Sequence, residues 1–155
     1  MSDTAQTSLQ ERIDADLRQA MRDQDDVTKL VLRAVKTALT EAAKAGAEHE
    51  LTDAQVMSVI QREAKRRREA ADEYERLGAS AQAAQERAEL AVLERYLPRQ
   101  MDEAEIEQLA RQVIAETGAT TARDLGKVMP VLMGRVAGRA DGKAVSQVVR
   151  RLLES

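Results

Sequence analysis

The chain has 155 residues, enough for one domain or two small ones, and its formal net charge is −3 at pH 7. It contains no Cys, which excludes disulfides and thiolate metal sites, and no run of eighteen apolar residues that would form a transmembrane helix. Tyr74 and Tyr96 are the only aromatic residues, so an aromatic surface for stacking single-stranded bases is not expected. The polar first residues do not resemble a secretory signal, and we therefore expect a cytoplasmic protein that does not bind membranes.

Capping residues and apolar stripes at helical spacing predict an all-α fold. The first helix is predicted over residues 9–23, after a capping box formed by Ser8 and Glu11. The second is capped by Asp25 or Asp26 and ends at Gly46 as its C′ residue, a position where glycine commonly adopts the left-handed conformation. The inward positions predicted for these two helices are Leu9, Ile13, Leu17, Ala20, Met21, Val27, Leu30, Val31, Ala34, Val35, Ala38, Leu39 and Ala42.

The third and fourth helices are predicted to form a long antiparallel hairpin, because only a few residues around Gly78 join them. Thr52 and Gln55 form the capping box of the third helix, and Ser80 begins the fourth. The predicted inward positions are Val56, Val59, Ile60, Ala64, Ala71, Tyr74, Leu77, Ala84, Leu90, Leu93, Tyr96 and Leu97.

A domain boundary is predicted at Leu97-Pro98, because proline disfavours helical backbone at the residue before it. We predict a flexible N-terminus over residues 1–7, an N-terminal helical domain over residues 8–97 and a small three-helix C-terminal domain over residues 98–155.

The three helices of the C-terminal domain follow separate start signals. The fifth helix begins after a capping box at residues 102–105, the sixth after Thr120 or Thr121, and the seventh after Asp141. Pro130 lies inside the sixth apolar stripe and should kink that helix or break it into two.

Charge is unevenly distributed along the chain. Residues 1–96 hold 15 Lys and Arg against 19 Asp and Glu, residues 97–121 hold 2 against 5, and residues 122–155 hold 7 against 3. The last two helices are therefore the basic end of an acidic protein, and a polyanion would bind there. The basic residues of this end are Arg123, Lys127, Arg135, Arg139, Lys143, Arg150 and Arg151.

The segment from Gly138 to Lys143 has two interpretations. Its glycines would let a ligand approach the backbone closely, and the N-terminus of the seventh helix favours an anion such as phosphate. Alternatively, Asp141 caps the helix, the glycines form a tight turn, and the carboxylate repels phosphate. The residues alone slightly favour the second interpretation, and the segment lacks the spacing of a P-loop.

A second basic patch consists of Lys65, Arg66, Arg67 and Arg68 on the third helix. Four consecutive helical residues point to all sides, so one of them must face the fourth helix. We expect that residue either to snorkel, with its charged end in solvent, or to pair with Glu86 or Glu89. Many acidic residues lie nearby, which favours a solvated, salt-bridged face over a binding site.

No residues indicate a catalytic, metal or cofactor site, and we expect none of the three. His49 is the only histidine and lies in a polar loop, where a surface position is expected. The carboxylates lie on predicted exposed faces among basic residues, whereas catalytic carboxylates need burial or close pairing.

Four segments resemble the YqeY family, the stand-alone relatives of the tail of the B subunit of the tRNA-dependent amidotransferase (GatB). They are residues 63–69, 94–101, 126–129 and 138–145, and the resemblance covers nearly the whole chain from Leu9 on. The sequence departs from the family pattern at Pro130, where a small residue is usual, and at Gly134, where a proline is common. The resemblance implies an N-terminal helical domain joined to a small tail-like domain. In the amidotransferase the tail contacts tRNA, and the chemistry is done by parts that have no counterpart here.

Three hypotheses of function follow. The first is a non-catalytic protein that binds tRNA or structured RNA. Lys127, Arg139 and Lys143 would contact phosphates, and three further charges of the basic end, Arg135, Arg150 and Arg151, would steer the RNA. The second is an adaptor that docks a partner protein of translation or aminoacyl-tRNA metabolism through the hairpin. The third is an accessory to a tRNA-dependent amidotransferase, a carbon–nitrogen ligase with glutamine as amide donor.

Overall fold

The computed structural model describes residues 7–46 and 50–154, and within these ranges the chain contains seven α-helices, one short 3-10 helix and no strand. The predicted all-α fold class is therefore confirmed. The helices are α1 Leu9–Asp23, α2 Asp26–Ala45, α3 Asp53–Arg76, α4 Ser80–Glu94, α5 Glu103–Thr117, α6 Leu125–Val136 and α7 Gly142–Glu154, with the 3-10 helix at Ala122–Asp124. Residues 1–6 of the predicted flexible N-terminus and the histidine at position 49 lie outside the described residues.

Local hydrogen bonds explain where most helices begin and end. The Thr52–Gln55 and Asp102–Glu105 pairs form capping boxes at the starts of α3 and α5. Gly118 follows α5 with a φ of 70°, which the missing Cβ permits. The expectation for Gly46 is wrong in one respect: α2 does end before it, but its backbone is extended, with φ −95° and ψ 162°.

The chain divides into two compact units, Met1–Leu97 and Pro98–Ser155. In the first unit, α1 to α4 pack around a core whose largest fully buried side chains are Ile13, Leu32, Ile60 and Leu93. Burial of each such side chain contributes about 1.5–3 kcal/mol, so this core accounts for much of the unit's stability.

The α3–α4 hairpin is confirmed. Arg87 on α4 pairs with two acidic residues near the end of α3, Glu75 at 2.7 Å and Asp72 at 3.5 Å. The short link from Leu77 to Ala79 leaves the helices no alternative to lying antiparallel side by side.

The buried faces of α2 and α4 differ from the predicted ones. Leu30 was predicted to point inward but is 55% exposed, whereas Thr28 and Leu32 are buried. On α4, Ala83 is buried and Ala84 is exposed. An apolar stripe shows that a helix has an inner face, but the neighbouring helices decide which edge of that stripe they cover.

Two further side chains predicted to point inward, Met21 and Leu77, are also exposed. Both lie where a helix ends and the chain turns tightly into the next one, and Gln24 makes the first of these turns with a left-handed φ of 55°. Side chains beyond the last packed turn of a helix have no neighbouring helix to cover them.

In the second unit, α5, α6 and α7 surround a separate core. Its fully buried side chains include Val113, Val128, Leu132, Val136 and Val145. This three-helix arrangement places the polar faces of all three helices outside, which is where the basic residues of the chain's end lie.

Of the two outcomes expected for Pro130, a kink or a break, the break does not occur, since α6 runs without interruption from Leu125 to Val136. Pro130 cannot donate a hydrogen bond to the carbonyl of Gly126, but both residues are exposed, so solvent can satisfy that carbonyl. The 3-10 helix directly precedes α6 and has Thr121 as its N-cap. The Asp124 carboxylate accepts a hydrogen bond from the Thr121 amide at 3.2 Å.

Candidate nucleic-acid interface

The exposed side of α7 carries two cations in one line. Val145, Val148 and Val149 are buried in the core, so the opposite side of α7 faces solvent. Lys143 and Arg150 are seven residues apart on that outer side, so they lie on the same face about 10 Å apart. Neither side chain has an ion-pair or hydrogen-bond partner among residues 7–46 and 50–154.

Arg135 and Arg151, also predicted to face RNA, are already paired with carboxylates of α5. Arg135 donates a hydrogen bond to Glu116. Arg151 donates to Glu103 at 2.9 Å and to Glu107 at 3.0 Å. The hydrogen bond from Arg135 stabilises the ionised carboxylate and thereby lowers the pKa of Glu116.

Lys127 is held more loosely. Its Nζ lies 3.7 Å from the Asp124 carboxylate, and the Lys127 side chain is 70% exposed. The amides of Thr120 and Thr121 bond to the same carboxylate and are the first causes that lower the pKa of Asp124. Asp124 is therefore largely engaged by the turn, and Lys127 remains accessible.

Arg139 has a structural contact that the sequence did not predict. The Met101 amide donates to the Arg139 carbonyl at 2.8 Å, and the Arg139 Nε donates to the Arg99 carbonyl at 3.0 Å. These two hydrogen bonds tie the α6–α7 loop to the segment before α5. Arg139 is consequently half-buried and less available to a phosphate than Lys143.

The geometry of the α6–α7 loop fits the tight-turn interpretation of its glycines. Ala137 and Gly138 both have left-handed backbones, with φ values of 52° and 79°, and together they reverse the chain. A Cβ placed on Gly142 would meet the Met133 side chain at 3.8 Å, an ordinary contact, so no close packing requires a glycine there. The Asp141 carbonyl accepts the Val145 amide at 3.0 Å, which places the Asp141 carboxylate directly before the first turn of α7.

Three of the four cations of the second basic patch, all except Arg68, pair with acidic residues of their own helix. Lys65 lies 4.0 Å from Glu69, and Arg66 and Arg67 lie 3.4 Å and 2.9 Å from the Glu63 carboxylate. Pairs three or four residues apart on a helix have this geometry by default. The patch therefore offers less unpaired positive charge than its sequence suggests.

Arg67 is the member of this patch that faces α4. Its side chain is only 13% exposed and lines a cleft of about 980 Å³ between α2, α3 and α4, together with Glu86 and Glu89. The predicted ion-pair partner was wrong, because Arg67 bonds to Glu63 on its own helix. Burial, and then the charge of Glu86, raises the pKa of Glu89, while Arg67 partly offsets this.

Tyr96 is buried and serves the N-terminal unit. Its hydroxyl donates to Asp16 at 2.5 Å, and the Arg12 guanidinium lies 4.8 Å from the centre of its ring. Burial and the bond to Asp16 raise the pKa of Tyr96 above its ordinary range. No pattern in the sequence predicts this triad, and the ring of Tyr96 is not available for stacking on a base.

Within residues 7–46 and 50–154, no three His, Cys, Asp or Glu side chains are grouped closely enough to hold a metal ion. None of the helices in the described part of the chain is both long and apolar enough to cross a membrane.

Comparison with known proteins gives the family. The chain matches the model of the family described as Yqey-like protein over residues 10–153. It belongs to the YqeY family. The chain is also similar to a protein named altered inheritance of mitochondria protein 41, mitochondrial, from Pyrenophora tritici-repentis (strain Pt-1C-BFP). The two are 29% identical over 146 residues, which cover 92% of this chain and 79% of that protein.

Two of the segments that carry the YqeY resemblance meet in the structure. Residues 94–101 include Arg99 and Met101, and residues 138–145 include Arg139, whose two hydrogen bonds join these segments. These bonds give the Arg139 side chain a structural role, whereas Arg99 and Met101 take part through backbone atoms. The resemblance in these segments is therefore not by itself an argument for a phosphate site.

Proposed function

We propose that this YqeY-family protein binds tRNA or another structured RNA through its phosphates and performs no chemistry on it. The observation that carries this proposal is the outer line of α7, where Lys143 and Arg150 have no carboxylate partner among the described residues. Unpaired cations on a rigid helix are available to a polyanion without first breaking an internal ion pair.

Two further cations extend this surface. Lys127 is accessible despite Asp124, and Arg123 is exposed on the 3-10 helix, which packs against α7. Arg135, Arg139 and Arg151 are hydrogen-bonded to other residues of this chain. They therefore contribute mainly long-range electrostatic attraction of the RNA. The order of importance thus differs from the sequence-based hypothesis, in which Arg139 was a primary contact and Arg150 a secondary one.

The class of RNA is suggested by two features. Because Tyr96 is buried and no other aromatic residue except Tyr74 exists, the surface would read shape and phosphates instead of stacking bases. The resemblance to the amidotransferase tail, which rests on sequence motifs alone, makes tRNA the structured RNA to test first.

The test is a titration of the full chain with tRNA at several salt concentrations. Two or three phosphate contacts predict a slope of log K against log salt of about −2 to −3. The Lys143→Ala, Arg150→Ala variant should bind more weakly, and its slope should be smaller in magnitude by about two. Loss of tRNA binding by the wild type even at low salt, or an unchanged slope in the variant, contradicts the proposal.

A matched control is available in the N-terminal unit. Arg18 and Arg33 are exposed cations without ion-pair partners among the described residues, so the Arg18→Ala, Arg33→Ala variant removes the same charge elsewhere. The proposal requires this control to bind tRNA with nearly the wild-type slope. An equal loss in both variants would mean that net charge alone determines binding.

The other hypotheses have less support. Of the large hydrophobic side chains exposed in the described residues, Leu77 alone lies in the α3–α4 hairpin, whereas an adaptor would need a contiguous apolar patch there. For the amidotransferase hypothesis, we expect no amide product when the purified chain is supplied with ATP, glutamine and misacylated tRNA. We propose a cytoplasmic location. The name of the similar fungal protein includes the word mitochondrial, so cell fractionation should test cytoplasm against mitochondria.

A further inference from the structure

Carboxylates on two sides of α5 bond to basic residues of the neighbouring helices. Glu103 and Glu107 are one helical turn apart and both bond to Arg151, while Glu116 near the other end of α5 bonds to Arg135. A single helix thus binds one cation of α6 and one of α7. These are two of the six cations that the sequence assigned to RNA.

These ion pairs are not needed to hold the unit together. The Arg151 side chain is 52% exposed, and exposed ion pairs contribute little to stability because water and salt screen them. A third side of α5 supplies the packing, through Ile106, Ala110 and Val113 in the core. The carboxylates can therefore exchange their guanidinium partner without unfolding the helix.

A phosphate that approaches Arg135 or Arg151 meets a competitor that Lys143 and Arg150 lack. It must displace a carboxylate and then remain close to that negative charge, and Arg151 has two such carboxylates within 3.0 Å. On the outer line of α7, the phosphate replaces only water and counterions.

We propose that Glu103, Glu107 and Glu116 act as internal competitors of the RNA phosphates, and that they confine the bound RNA to the side of the C-terminal unit away from α5. This inference rests on the proposed function. It adds that the three carboxylates of α5 limit the area that the RNA contacts and lower the affinity for RNA. Glu103 and Glu107 mask Arg151, and Glu116 masks Arg135.

The test uses isosteric neutral variants of the full chain in the same tRNA titration. Glu116→Gln should raise the affinity about two- to fivefold, the range set by the strength of an exposed ion pair. The Glu103→Gln, Glu107→Gln variant should do the same. Each should also increase the magnitude of the salt slope by about one, because one more cation becomes available. The control is Glu41→Gln, Glu94→Gln, which removes two exposed carboxylates from the N-terminal unit and should change the affinity less.

A second comparison separates masking from a general charge effect. Arg151→Ala should have little effect on affinity in the wild type, but a clear effect when Glu103 and Glu107 are already Gln, since only then does Arg151 contact phosphate. Equal effects of Arg151→Ala in both backgrounds, or Gln variants no different from the control, would overturn this inference while leaving the proposed function intact. If the wild type binds no tRNA, the proposed function fails first and this inference fails with it.

Discussion

Replacing Arg139 by Ala tests whether this residue clamps the C-terminal unit. The substitution removes the hydrogen bond from the Arg139 Nε to the Arg99 carbonyl, whereas the backbone bond from Met101 can remain. A single hydrogen bond of a half-exposed charged group contributes about 1 kcal/mol net. For a unit of roughly 60 residues, that loss lowers the midpoint of thermal unfolding by about 4–8 °C.

The measurement is thermal and urea unfolding of the full chain, followed by circular dichroism. Lys143→Ala is the matched control, because it also removes one cation near the start of α7 but breaks no ion pair or side-chain hydrogen bond among the described residues. Its effect should stay within about 0.5 kcal/mol. Arg139→Lys should not restore stability, since an ammonium group lacks the planar donor geometry of the guanidinium. Arg139→Ala and Lys143→Ala unfolding at the same temperature would refute the clamp. Arg139 would then again be a candidate phosphate contact.

Two further substitutions test the left-handed backbone at Ala137 and the partly buried carboxyl of Glu89. Ala137→Gly should stabilise the protein by up to about 1 kcal/mol, because Ala137 holds a left-handed φ of 52° that glycine adopts without strain; a loss of stability in urea unfolding would argue against that conformation. Glu89→Gln should stabilise the protein by a few tenths of a kcal/mol at pH 7 after allowing for solvent screening. Burial and the charge of Glu86 raise the pKa of Glu89 above 4.5, so the folded chain binds this proton more tightly than the unfolded chain. Its contribution to stability is therefore present below pH 4.5 and falls as the pH rises through the raised pKa, and the variant should lose this part of the pH dependence between pH 4 and pH 7.

The sequence predicts helix starts and stops well, because these depend on hydrogen bonds between residues that are close in the chain. The Thr52 and Asp102 capping boxes are such cases. It predicts buried faces less well, since the exposure of Leu30 and the burial of Ala83 depend on which distant helices pack there. Pro130 also shows this limit: a proline on the exposed side costs α6 one hydrogen bond but does not interrupt it.

For the candidate interface, the sequence located the basic end but not which of its cations are free. Counting charges cannot show that Glu116 of α5 pairs with Arg135 of α6, nineteen residues later in the chain, because the fold alone brings them together. The same holds for Arg139, whose partner Arg99 is forty residues away. The assignment of residues 8–97 and 98–155 as domains with separate functions stays a prediction.

The salt dependence of tRNA binding by the wild type and by the Lys143→Ala, Arg150→Ala variant tests the central claim most directly. If the outer line of α7 is the phosphate surface, the wild-type slope is about −2 to −3 and the variant loses about two units of it, whereas the Arg18→Ala, Arg33→Ala control keeps the wild-type slope. A wild type that binds tRNA with the same slope as the α7 variant would contradict the account, because the phosphates would then be bound elsewhere on the chain.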